Sequence, residues 1–174
     1  MTFSDYLLDI ALIAVVFRQV REARFSPKMM LLPLVICGVV ASQYLHGIPT
    51  AGNDLLLIAG FAAVGLAFGA ISGMTTRVRL GEDGQPLVKA GWIAAGTWVV
   101  SMGFRFGFSL WMSHGGAPDL VRFSAHHGIT SGEAWTAALI LMAVGEVVIR
   151  TGLIWMRTTR VQQSADEPKT LTVA

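Results

Sequence analysis

Five runs of mostly apolar residues, about 3–19, 28–46, 54–74, 91–113 and 132–156, divide the chain. Each approaches the ~17–25 residues that a helix needs to cross the hydrocarbon layer of a bilayer. Backbone placed in lipid must satisfy its own hydrogen bonds, so only helices or closed barrels can span it. With 53% apolar and 14% charged residues among 174, the chain is expected to be all-α, a polytopic bundle of five transmembrane helices. The punctuation agrees. Ser26-Pro27 and Asn53 stand at two helix starts, and Thr130 with Glu133 three residues on reads as a capping box for the last span.

The segments between the spans alternate in charge. "RQVREARFSPK" and "TTRVRLGEDGQPLVK" carry seven basic residues, whereas "GIPTAGND" has none and "HGGAPDLVRFSAHHG" has only Arg122. The positive-inside rule then sets the N-terminus outside and the C-terminus in the cytoplasm. The first apolar run has no basic residue before it and Arg18, Arg21 and Arg24 after it, so it reads as a retained anchor rather than a cleavable signal. Residues 1–157 read as one transmembrane domain and 158–174 as a disordered cytoplasmic tail. Alternation over Arg77, Val78, Arg79 and Leu80 before Asp83-Gly84 predicts a short cytoplasmic β-hairpin. "APDLVRFSAHHG" predicts a short helix lying at the outer interface.

Charges inside the apolar runs pose the main question. Arg105 lies roughly 20 Å above the cytoplasmic end of its span, too deep for its side chain to reach water on that side. Counting by fours gives Thr97, Ser101, Arg105, Ser109 and Ser113, a polar line that lipid would not solvate. Gly103 and Gly107, about half a turn away, would let another helix approach closely. Gly65, Gly69 and Gly73 form a similar packing groove one span earlier.

Asp9, Glu146 and Arg150 are the other intramembrane charges, and with Arg105 their signs cancel. Glu146 precedes Arg150 by four residues, the favourable order for a pair on one helix, which leaves Asp9 as the natural partner of Arg105. A four-member network with Glu146 bridging both arginines is the alternative. Such a cluster serves either as a static network that fixes helix order or as a polar pocket or ion path in which Ser101 and Ser109 take part.

Other chemistry finds little footing. The formal charge of +2 is too small, and the basic residues too scattered, for nucleic acid. The lone Cys37 excludes a thiol pair within one chain. His46, His114, His126 and His127 show no metal-ligand spacing, and no haem or other cofactor is implied. No Gly-x-Ser-x-Gly, Walker loop or His-Glu-x-x-His is present, so no enzyme activity is expected.

The basic run after the first span, the small-residue span ending "GAISGMTTRVR", the Asp83-Gly84 turn and the arginine-bearing fourth helix resemble the CcdC-like family of small bacterial membrane proteins. The likeness extends over most of the chain up to about Arg157. It implies a link to cytochrome c maturation by name, and no catalytic residues. From the residues themselves the expectation is a membrane protein with a buried Arg/Asp/Glu network that binds a small polar ligand or a partner. A proton- or ion-coupled transporter is one alternative. A subunit or assembly factor, receiving a partner helix or a second copy in the glycine grooves, is the other.

Overall fold

The computed structural model describes residues 23–24, 27–44 and 49–166. Four long helices are present: α1 (Pro27–Tyr44), α2 (Asp54–Thr75), α3 (Trp92–Trp111) and α5 (Gly132–Asp166), with a short α4 (Ala117–His126) between the last two. Three stretches, Asp54–Thr75, Trp92–His126 and Gly132–Ser164, are long and apolar enough to cross a membrane. The first expected span, 3–19, lies outside the described residues, and α1, at the second, is apolar over Leu31–Gln43 and shorter than those three.

Helices α2 and α5 form the tightest pair. On α2, Gly65, Gly69 and Gly73 face α5 in succession, and a Cβ at Gly65 would fall on the Met142 carbonyl group. One at Gly69 would meet the backbone of Glu146, and one at Gly73 would come within 3.0 Å of the Leu153 side chain. The partner surface is also small, with Ala134 and Ala138 fully buried and Ala137 nearly so. Small side chains on both sides let two backbones approach where dispersion, not water exclusion, holds helices together. The groove on α2 is therefore filled by this chain's own helix and is closed to a partner.

Gly103 and Gly107 receive no helix from the described part of the chain. Among the described residues nothing lies within 4 Å of a Cβ built at either position, or at Gly96 on the same face. The packed side of α3 carries Ala94, Ser101 and the half-buried Arg105, about half a turn away. Spacing alone showed a small-residue pair but not which side of the helix the bundle occupies.

The hairpin is present as β2 (Arg77–Leu80) and β3 (Pro86–Lys89), closed by Gly84 at φ +71°. Unexpectedly, β1 (Ala23–Arg24) pairs antiparallel with β3, giving the order β1-β3-β2. Two residues are too few to show alternation in a sequence. At the opposite end of the bundle a turn with Gly115 at φ +102° bends the chain out of α3 and into α4, the short helix expected there.

Both ends of α5 differ from expectation. It does not start on a Thr130–Glu133 box: Ser131 Oγ accepts from Ala134 N at 3.2 Å, and Glu133 is exposed. Thr130 instead donates to Asp54 of α2 through N at 2.7 Å and Oγ1 at 2.6 Å, because the fully buried Asp54 carboxylate competes for those donors. Its far end runs to Asp166, beyond the expected limit near 157, so residues 158–166 are helix and not tail. Thr158 is fully buried, and Arg157 Nη1 donates to the carbonyls of Gly73, Met74 and Thr76 at 3.1, 2.8 and 2.6 Å. A cation there satisfies the orphan carbonyls at the C-terminus of α2 and complements its dipole. Arg157→Ala is expected to lower unfolding stability by about 1.5–3 kcal/mol, the range for hydrogen bonds from a charged donor. Thermal unfolding in detergent checks it; a midpoint equal to that of wild type would contradict the cap.

Candidate functional site

Helix α3 supplies Ser101 and Arg105, and α5 supplies Glu146. Arg105 folds back along its own helix, as long helical side chains do, bringing its guanidinium level with Ser101. Its Nε donates to the Ser101 carbonyl at 3.3 Å, and its Nη2 donates both to Ser101 Oγ at 2.5 Å and to Glu146 Oε2 at 2.6 Å. Ser101 Oγ in turn donates to the same Oε2 at 2.5 Å, so hydroxyl, guanidinium and carboxylate close a triangle. Ser101 is fully buried, whereas the side chains of Glu146 and Arg105 are 5% and 21% exposed.

Gly69 makes this geometry reachable. Because it lacks a Cβ, the α5 backbone at Glu146 presses directly on α2, and α3 also packs on α2 through Phe61 and Phe104, whose ring centroids are 6.0 Å apart. The carboxylate then spans the remaining gap to α3.

Glu146 takes a different partner from the one the sequence favoured. Glu146 pairs with Arg105, and among the described residues Arg150 has no ion pair within 4.0 Å although it remains within electrostatic reach of Glu146. An i,i+4 pair on one helix is worth only ~0.2–0.5 kcal/mol. An unpaired arginine at mid-bilayer costs about 2.5–3.5 kcal/mol on the insertion scale, so satisfying the deeper Arg105 wins. Asp9, the expected partner of Arg105, lies outside the described residues.

The hydroxyl line does not form a connected path. Thr97 Oγ1 donates to its own helix at the Ile93 carbonyl, Ser113 Oγ does the same to Leu110, and Ser109 is exposed. Only Ser101 joins the charges. A cavity of about 280 Å³ beside the site is lined by Phe61, Val64, Phe68, Val100, Phe104 and Met142. Its walls offer no polar group.

Helix α1 packs on α5, the helix that carries Glu146. The sequence held no sign of this, because α1 is apolar on every side between Met29 and Ala41 and its half-buried positions, Leu34, Cys37 and Ala41, emerge only once α5 is in place. Among the described residues no three His, Cys, Asp or Glu side chains gather in a way that could hold a metal ion. His126 and His127 are neighbours whose rings meet edge-on, and His127 also stacks on Phe123 at 4.0 Å between centroids. No family model matches this chain, and no curated protein or solved structure compared with it matches either.

Proposed function

We propose that the chain is a non-enzymatic, five-span protein of the bacterial cytoplasmic membrane, N-terminus outside, whose Arg105–Ser101–Glu146 triangle ties the bundle together and binds a small polar ligand. The triangle itself supports this. Ser101 is fully buried and Glu146 nearly so, yet the Arg105 side chain remains 21% exposed. A guanidinium presents several donors in a fixed plane, suited to a ligand carboxylate, phosphate or amide oxygen. The resemblance to the CcdC-like family belongs to the same proposal and adds no catalytic residue to it. Thermal-shift screening of the detergent-purified protein against small carboxylates, phosphates and amides tests the reading. A compound that raises the wild-type midpoint and leaves Arg105→Lys unmoved would support it, and a library that moves neither would count against it.

Glu146 favours a second reading, a proton- or ion-coupled transporter. It is a buried carboxylate at mid-bundle that accepts from a hydroxyl, while the fixed charge of Arg105 disqualifies the arginine as the proton carrier. Under this reading Glu146→Gln abolishes proton flux into reconstituted vesicles, by tenfold or more, while the protein stays folded and in the membrane. Unchanged flux would leave the ligand-binding reading alone.

A further inference from the structure

We infer that the basic face of the β2–β3 hairpin binds the anionic headgroups of the lipids around α2 and α3, with Arg77 and Lys89 holding one phosphate between them. The inference rests on α2 and α3 crossing a bilayer and not on the ligand-binding reading.

The register sorts the side chains of the hairpin onto two faces. Arg77 stands directly opposite Lys89 and Arg79 opposite Leu87, so strand alternation puts all three cations on one side of the sheet, where each is exposed. Val78, Leu80 and Pro86 take the other side. Val78 and Leu80 are half-buried, Pro86 is fully buried, and Leu80 borders a groove shared with Arg160, Val161 and Ser164 of α5. The basic side therefore faces out. Two cations directly across a ladder repel one another and weaken it. A phosphate between Arg77 and Lys89 turns that repulsion into attraction, and a guanidinium matches phosphate oxygens two at a time.

Height selects lipid over a dissolved anion. Helix α2 has 22 residues, about 33 Å of helix against a hydrocarbon layer of ~30 Å, so its end at Thr75 lies at the edge of that layer. Arg77 follows Thr75 by two residues and Lys89 precedes Trp92 by three, which at ~3.3 Å per residue keeps them within about 7 and 10 Å of the helix ends. The headgroup layer is ~5–8 Å deep, within reach of both side chains. Trp92 and Ile93, 74% and 62% exposed, stand at the same level, where an indole suits the lipid interface. Glu82 and Asp83 occupy the tip of the hairpin, past the four residues of β2 and at least ~10 Å farther along it than Arg77. A topological signal needs only the number of basic residues in this connection. It does not require bases at the root of the hairpin and acids at its tip.

Native mass spectrometry of the full-length protein, released from mixed micelles holding equal phosphatidylglycerol and phosphatidylcholine, tests the inference. Each basic residue near an anionic surface strengthens attraction on the order of fivefold, so wild type is expected to retain phosphatidylglycerol at least fivefold over phosphatidylcholine. Arg77→Gln with Lys89→Gln is expected to retain the two lipids alike. The charge-preserving exchange Arg77→Lys with Lys89→Arg is expected to stay within about twofold of wild type. So is Arg122→Gln, which removes an exposed cation on α4 at the opposite end of the bundle. Millimolar inorganic phosphate is expected to leave the ratio unchanged. Equal retention of the two lipids by wild type, a preference that survives the double Gln substitution, a loss in the exchanged variant or in Arg122→Gln, or displacement by phosphate would overturn the inference.

Discussion

Glu146→Leu is expected to destabilise the purified protein by about 3–5 kcal/mol, the range measured when one partner of a buried ion pair is removed. Two groups lose their acceptor at once, because Ser101 Oγ and Arg105 Nη2 both converge on the one carboxylate oxygen. The guanidinium is the more serious loss, since it cannot shed its proton to escape the low dielectric. Glu146→Gln keeps an oxygen to accept both bonds and is expected to lose less than half as much. Equilibrium unfolding in mixed micelles, followed by helical circular dichroism, measures both. Should Glu146→Leu unfold at the wild-type midpoint, the triangle would be incidental to the fold.

Gly65→Val is expected to have the other large effect. The atoms that a Cβ would strike at Gly65 are the backbone carbonyl and Cα of Met142, so no side chain can swing aside and α5 itself must move. Overpacking that a core can absorb costs ~1–3 kcal/mol, and a helix pair forced apart along a glycine groove is expected to lie at or beyond the top of that range. Separation of α2 from α5 also shifts Glu146, so the loss spreads to the charge site. Gly103→Val, by contrast, meets no neighbour among the described residues and is expected to change stability by no more than about 0.5 kcal/mol. Equal losses for the two variants would contradict the assignment of the two glycine faces.

Helix positions were the most legible part of the fold, because apolar length is a strong signal and lipid removes most alternatives. The hairpin was legible too, from alternation and a turn dipeptide. Features that depend on two distant elements were not. Arg157 reads in sequence as one more cytoplasmic charge, and only the end of α2 beside it reveals a cap. Asp54 reads as the first residue of a helix, and its capture of Thr130 overrides the local capping pattern. The same holds at the site: the residues Ser101, Arg105 and Glu146 were visible as misfits in apolar runs, but their pairing was not. Local i,i+4 geometry favoured Arg150 for Glu146, and the choice of Arg105 follows from Gly69, a residue with no side chain to advertise it.

The claim on which the rest depends is that attraction between Arg105 and Glu146 joins α3 to α5. A double-mutant cycle over Arg105→Leu and Glu146→Leu, read by unfolding in mixed micelles, measures that attraction directly. The account predicts that the double variant is more stable than the sum of the single losses by at least 1 kcal/mol on the order found for contacting buried groups. Losses that add to within about 0.5 kcal/mol would contradict it, since two residues that do not sense one another cannot be holding two helices together.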